Sequence, residues 1–380
     1  MKIDYQHRIF GLDLMRAIAI LFVVFSHALW IFPEAEGVLV AVLKLAGIMG
    51  VEIFFVLSGF LIGRILFKTY THPDFKLKNF RYFLIRRWFR TLPNYYLVLL
   101  INIAIVLYIG RDLPDMLSSY FLFFQNALSK MAIFFTESWS LSVEEFAYIV
   151  GPMFLILLAI LPIRFSKKSK FLMGTLLVIL LFTITKIYYN QHHQGVDMDY
   201  WNNNLKSVVL YRIDAIYYGV LAAYISLVYP KLWQAKPVFL CLLGFLLFNV
   251  FHFIAIYKQL TISSFSWLWN VVYLPFCSVC IALSLPWFSG LRTVFPVFLK
   301  PITYISIISY SMYLLHYSII LQLMRYFFRI ENYTFSQKLI YALIYLILTL
   351  LFSYFLYRFY EKPMTDIRDK SFFAKKHPKV

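Results

Sequence analysis

Gly11-Leu-Asp13-Leu-Met-Arg16-Ala-Ile-Ala-Ile-Leu-Phe-Val-Val-Phe-Ser-His27 lies in an apolar run long enough to cross a bilayer, yet it holds an aspartate, an arginine and a histidine. A lipid-spanning segment needs about 20 helical residues. Helix is the form it takes, because lipid cannot satisfy an open backbone, and no alternating barrel pattern is present. Eleven residues from Arg16 to His27 make about three helical turns, a rise of ~16.5 Å with a net rotation of only ~20°. Both side chains therefore share one face. Ionisable groups inside a span are costly and point to function. The plainer reading is a histidine that pairs helices and an arginine that snorkels to the interface.

The whole chain repeats this character. Of its 380 residues 62% are hydrophobic and 14% charged, whereas soluble domains average about 45–50% and about 25%. Such a chain reads as an all-α, polytopic membrane bundle. Ten spans are expected, at 9–31, 45–67, 92–109, 141–162, 171–189, 207–228, 238–257, 267–285, 302–324 and 339–359. The apolar stretch Met116–Phe135 is read as re-entrant or interfacial. A span there would carry the Lys167, Lys168 and Lys170 cluster outside. With the N-terminus inside, 25 Lys and Arg fall in inner segments and nine in outer ones, Lys186 among the nine. That is the positive-inside bias, and it places both termini in the cytoplasm. The same bias accounts for the net charge of +18 without nucleic-acid binding. Residues 1–365 are expected to form the membrane domain and 366–380 a basic cytoplasmic tail. No cleavable signal peptide is expected. Cys241, Cys277 and Cys280 all lie in apolar runs, which gives no disulfide framework.

Further polar residues fall, by helical rise, in the same outer half as His27: Glu52, Glu144, Arg212, Asp214 and His316. Their convergence on one depth suggests one polar pocket, while Glu145 reads as interfacial. The alternative for Arg212 and Asp214 is pairing with each other. An inner loop reads Arg81-Tyr-Phe-Leu-Ile-Arg86-Arg87-Trp-Phe-Arg90-Thr-Leu-Pro93. Its guanidinium forks suit phosphate, although a positive anchor on anionic lipid would look alike. His192, His193, Asp197 and Asp199 have weak metal-site or H-x4-D character on a short loop. Cys277-Ser-Val-Cys280 has no second pair to complete a metal site. No metal site is expected.

With these residues in view, the chain resembles the acyltransferase-3 family of bacterial integral membrane O-acyltransferases. The matching series begins with Gly11 to Arg16 and His27, then Gly50-Val-Glu52-Ile-Phe-Phe-Val-Leu-Ser58-Gly59-Phe60. It continues with Arg86-Arg87-x-x-Arg90-x-x-Pro93, Phe124-Gln125-Asn126 and Trp139-Ser-Leu-Ser-Val-Glu144-Glu145. Tyr211-Arg212-Ile-Asp214 with Gly219, and Ser309-Tyr-Ser-Met-Tyr-Leu-Leu-His316, complete it. The resemblance implies an acyl-CoA donor, most often acetyl-CoA, and a hydroxyl of an exported or lipid-linked carbohydrate as acceptor, at the inner membrane of a bacterium. Arg86, Arg87 and Arg90 are then candidates for the donor phosphates. His27, Arg16, Glu144, Arg212 and Asp214 are candidates for catalysis, and Glu52, Ser58 and His316 for the substrate pocket. His27 would act as general base or as a transient acyl carrier. The appended outer esterase-like domain of some members is not seen, which leaves room for a separate extracytoplasmic transferase. The competing class is a transporter or flippase for a lipid-linked saccharide, which has no chemical need for an Arg16–His27 face beside an inner arginine cluster.

The charge distribution yields a direct test of topology. A reporter fused after Lys170 should read as cytoplasmic and one fused near Gln194 as external. The reverse pattern would overturn the depth argument.

Overall fold

The computed structural model describes residues 8–162, 164–292 and 294–368. Among them the chain is helical, with no strand. The principal helices are α1 (Phe10–Ala28), α2 (Val38–Thr71), α3 (Lys78–Ile109), α4 (Trp139–Ile160) and α5 (Lys167–His192). They continue with α6 (Ile213–Val228), α7 (Pro237–Tyr257), α8 (Leu274–Gly290), α9 (Pro296–Leu315) and α10 (Phe335–Leu356). Nine helical stretches among the described residues are long and apolar enough to cross a membrane. The protein is thus a polytopic helical bundle. Residues 369–380, most of the expected basic tail, lie outside the described residues.

Two boundaries differ from the sequence reading in ways that matter for function. The expected span at 207–228 shortens to the 16 residues of α6. The backbone before it turns aside, because the N–H groups of Val209 and Leu210 donate to the carbonyls of Asn126 (2.9 Å) and Ala127 (3.1 Å). The stretch 116–135 is helical only at Leu117–Phe121 and does not cross; its end is the support on which the start of α6 rests. The arginine-rich segment expected as a loop is instead the first part of α3. It contains no helix-breaking glycine. Arg86 stacks over Tyr82 (5.7 Å) and Arg87 over Phe83 (5.8 Å), cation–π pairs at the i,i+4 spacing that supports a helix.

Helix α2 is the centre of the bundle, packing against both α1 and α6. Its closest approach is to α6. A Cβ added at Gly59 would fall 1.8 Å from the Ile216 carbonyl oxygen, and one at Gly219 would fall 2.0 Å from that of Val56. Lipid gives no hydrophobic drive for helix pairing, so small residues that let backbones touch supply it through contact. At the chain's far end a π-helical turn, Tyr357–Glu361, follows α10. It delivers the Glu361 carboxylate into the interior, where Asn94 Nδ2 (2.9 Å) and Ser311 Oγ (2.5 Å) donate to the same oxygen. Helix α10 is thereby tied to α3 and α9.

Gly219→Val is expected to destabilise the protein by about 1–3 kcal/mol, the usual cost of overpacking a filled core, with α2 and α6 forced apart. Thermal unfolding of the detergent-solubilised variant measures this. An unchanged midpoint would mean that the contact is not tight in the membrane.

Candidate active site

The polar residues expected to share one pocket divide into three groups. The first lines a cavity of about 110 Å³ between α1, α2, α3, α4 and α9. Arg90, exposed, stands at its open side, and Arg87, half-buried, lies one turn away on the same helix face. Deeper in are Arg16, Ser58, Glu144 and Tyr148. Arg16 is held from α1 and α9. Its Nη1 donates to Asp13 (3.2 Å) and Ser306 (3.1 Å), and the buried Asp13 carboxylate is also paired with Arg8. Tyr148 lies four residues after Glu144, one helical turn, and its hydroxyl donates to the Glu144 carboxylate at 2.8 Å. Ser58 Oγ meets the same hydroxyl at 2.8 Å. With the tyrosine proton committed to Glu144, Ser58 donates, so a chain of hydroxyls runs from the cavity surface to a carboxylate.

The second group is the histidine pair. His27 Nδ1 lies 2.7 Å from His316 Nε2, and His316 Nδ1 donates to the Tyr313 carbonyl at 2.8 Å. The Tyr313 side chain itself lines the cavity, so this one residue stands between the cavity and the pair. Its hydroxyl meets Ser140 Oγ at 2.6 Å and donates to the Glu137 carbonyl at 3.1 Å. Directly after α9 the chain enters a π-helical turn, His316–Leu321. The buried Glu137 carboxylate clamps that turn, accepting from Ser318 N (3.1 Å) and Ser318 Oγ (2.6 Å). Single π-turns within helices recur at functional sites.

The third group is ionic and fully enclosed. Arg212 pairs with Glu52, and Asp214 with Lys186. Arg212 and Asp214 therefore do not pair with each other. Lys186, counted above among the outer cations, is 0% exposed and belongs to the interior, which lowers the outer count from nine to eight. The Arg212 guanidinium lies over the Phe55 ring at 5.5 Å, and Phe55 lines the cavity. The ionic group thus backs the cavity wall without opening into it.

Other residues depart from the sequence reading as well. Glu145 is buried rather than interfacial and accepts a hydrogen bond from Thr91 at 2.8 Å. That bond fixes α4 against the arginine face of α3. Glu144 lines the cavity with Arg16 and Ser58, whereas His27 does not line it. Arg86 is exposed and does not line the cavity. At about 100° per residue Arg90 falls between Arg86 and Arg87 around the helix, and the cavity lies on the Arg87 side, where Thr91 also lines it. Sequence reasoning passed over Tyr148, Tyr313, Asp13 and Glu137 as site residues. Asp13 and Tyr313 lie inside stretches quoted above, and Tyr148 could have been found from its spacing to Glu144. Glu137 shows no local pattern, because its partner Ser318 is 181 residues away. His192 and His193 hydrogen-bond to carbonyls one turn back, and Asp197 caps the turn at Tyr200. Among the described residues no group of three or more His, Cys, Asp or Glu is placed to hold a metal ion.

The family model described as an acyltransferase domain matches residues 9–358. YrhL of Bacillus subtilis, provisionally named a peptidoglycan O-acetyltransferase, is 38% identical over 170 residues, covering 41% of this chain and 25% of that protein. The peptidoglycan O-acetyltransferase OatA of Listeria monocytogenes is 28% identical over 179 residues, covering 43% of this chain and 26% of the relative. SACOL0978 of Staphylococcus aureus, provisionally named an O-acetyltransferase, is 30% identical over 196 residues, covering 47% and 30%. The chain thus matches about a quarter to a third of the length of these relatives. No solved structure matches. The family match runs through every element that builds the cavity and the histidine pair, and the chain belongs to this acyltransferase family.

Proposed function

We propose that the protein transfers an acyl group, acetyl in the first instance, from cytoplasmic acyl-CoA to a hydroxyl of a cell-wall or other exported glycan. The observation that carries this reading is the path from the arginines to the histidines. Arg90 and Arg87 stand where the cavity opens, Arg16 lies further in, and Tyr313 links the cavity wall to the His27–His316 pair. A CoA molecule has the same polarity along its length: anionic phosphates at one end, a long neutral arm, and the thioester at the tip. The Arg87–Arg90 face suits the phosphates. The arm would follow the α1 face past Arg16, bringing the acyl carbon towards His27. The lysine and arginine bias supports an Arg90 end facing the cytoplasm, where acyl-CoA is found, and a histidine end towards the exported acceptor.

In the direct route His27 takes the proton from the acceptor hydroxyl as its oxygen attacks the thioester carbonyl. The carbon–sulfur bond breaks, and the departing CoA thiolate recovers that proton from the imidazolium. In the two-step route His27 itself takes the acyl group and passes it on. Glu144, Tyr148 and Ser58 line the path and are assigned to orienting the arm. Glu52, Arg212, Asp214 and Lys186 are assigned to holding the wall behind Phe55. Ten helices in a bacterial inner membrane, with residues 1–365 as the transferring unit, complete the reading. The acceptor class follows the relatives, whose names place peptidoglycan among the substrates.

Two measurements on purified, reconstituted protein test this. His27→Gln keeps polarity and approximate reach, so the protein should accumulate normally. Glycan acylation should fall by about two to four orders of magnitude, the range for losing a general acid–base. Substantial turnover by the folded variant would sink the role of His27, and an acyl adduct on His27 trapped without acceptor would select the two-step route. Replacing Arg87 and Arg90 together by Gln should raise the KM for acyl-CoA about ten-fold or more, as expected for losing charge-assisted contacts. Arg86→Gln should change it much less. Equal donor affinity in the double variant and the wild type would return the arginines to a lipid-anchoring role.

A further inference from the structure

His316 is fully buried, and both of its ring nitrogens are engaged. This allows the proton positions of the pair to be deduced. The partner of His316 Nδ1 is the Tyr313 carbonyl oxygen, 2.8 Å away. A carbonyl oxygen can only accept, so the hydrogen is on His316 Nδ1. A neutral imidazole has a single N–H, so His316 Nε2 presents a lone pair. The 2.7 Å contact with His27 Nδ1 is then a hydrogen bond only if His27 Nδ1 carries the proton. His27 Nε2 is left with its lone pair.

We propose that His316 is a positioning residue that fixes His27 as the Nδ1–H tautomer, so that Nε2 is the nitrogen that meets the acceptor hydroxyl. This rests on the reading of His27 as the reacting base. When Nε2 takes up a proton, the Nδ1–H bond to His316 remains and becomes charge-assisted. No group has to turn. The role is that of the third member of a Ser–His–Asp constellation, filled here by a neutral ring. A neutral partner selects the tautomer without placing another charge in the membrane. The same nitrogen carries the acyl group if the two-step route operates.

The surroundings hold His316 in register for this role. The Tyr313 hydroxyl is anchored to Ser140 and the Glu137 carbonyl, and the Glu137 carboxylate clamps Ser318 just beyond His316. The turn carrying the histidine is thus fixed on both sides, as a supporting shell must be if it is to hold a reacting group in place. His27 also stacks against Tyr317, with ring centroids 4.7 Å apart, which limits rotation of its ring.

The test is nitrogen NMR of the full-length protein in bilayers, labelled with 15N-histidine. The His27 signals are identified as those lost in His27→Gln. In the wild type they should report a protonated Nδ1 and a bare Nε2. His316→Phe keeps a ring but removes the acceptor, and should move the His27 signals towards Nε2–H. It should also lower kcat by about two to four orders of magnitude, comparable to the loss when a catalytic histidine is held in the wrong tautomer, with the KM for acyl-CoA little changed. His316→Gln offers an amide oxygen to Nδ1–H and should recover at least about ten-fold of that loss. A wild-type His27 protonated on Nε2 would overturn the proposal whatever the variants do. So would a tautomer unchanged in His316→Phe. A shifted tautomer with undiminished turnover would overturn the reading of His27 as base, and the two failures are thereby told apart.

Discussion

Contact between two backbones, α2 against α6 at Gly59 and Gly219, is the constraint on which the other features depend. These helices cannot be drawn together by exclusion of water, since lipid surrounds both, and they are held by contact and by the polar groups brought within reach. Once they touch, Glu52 meets Arg212, and Asp214 meets Lys186 of α5. Phe55 and Ser58, on the same helix as Gly59, are then set into the cavity wall. Bulk at either glycine would move both the ionic group and that wall.

The buried ion pairs contribute register more than stability. Removing two charges from water costs several kcal/mol per ion, and their attraction offsets this only with good geometry. Their presence is thus a poor argument for stability. It is a better one for register: four charges on α2, α5 and the start of α6 can all be matched in only one relative placement of those segments. Breaking any member leaves an unmatched charge in a low-dielectric interior, which is far costlier than never having buried it. The ionic group thus locks the frame behind the cavity wall.

How much of this was legible in the sequence depended on distance along the chain. Apolar length and the Lys/Arg bias marked the membrane bundle, and the ordered motifs marked the family. The three-turn spacing placed Arg16 and His27 on one face, and the structure puts Arg16 at the cavity and His27 beside its wall. Depth along the membrane normal was a weaker guide. Glu52, Glu144, Asp214 and His316 were assigned to one layer, but depth says nothing of azimuth, and the bundle distributes them among three separate groups. The arginine segment was misread as a loop because charge suggested solvent, whereas its aromatic residues at i,i+4 spacing support a helix. Lys186 and Glu137 were invisible for a shared reason: each is matched by a residue that only the folded bundle brings near.

Glu361 gives the assembly an order in time. The residue that pins α3 beside Arg90 and Thr91, through Asn94, lies in the turn that follows α10, a helix made after α3 and α9. Until that helix inserts, Asn94 and Ser311 lack their shared acceptor. An unfinished or truncated chain therefore inserts its first helices, histidine included, before this tie between α3 and α9 exists. Synthesis itself thus completes this contact only after both members of the histidine pair have been made.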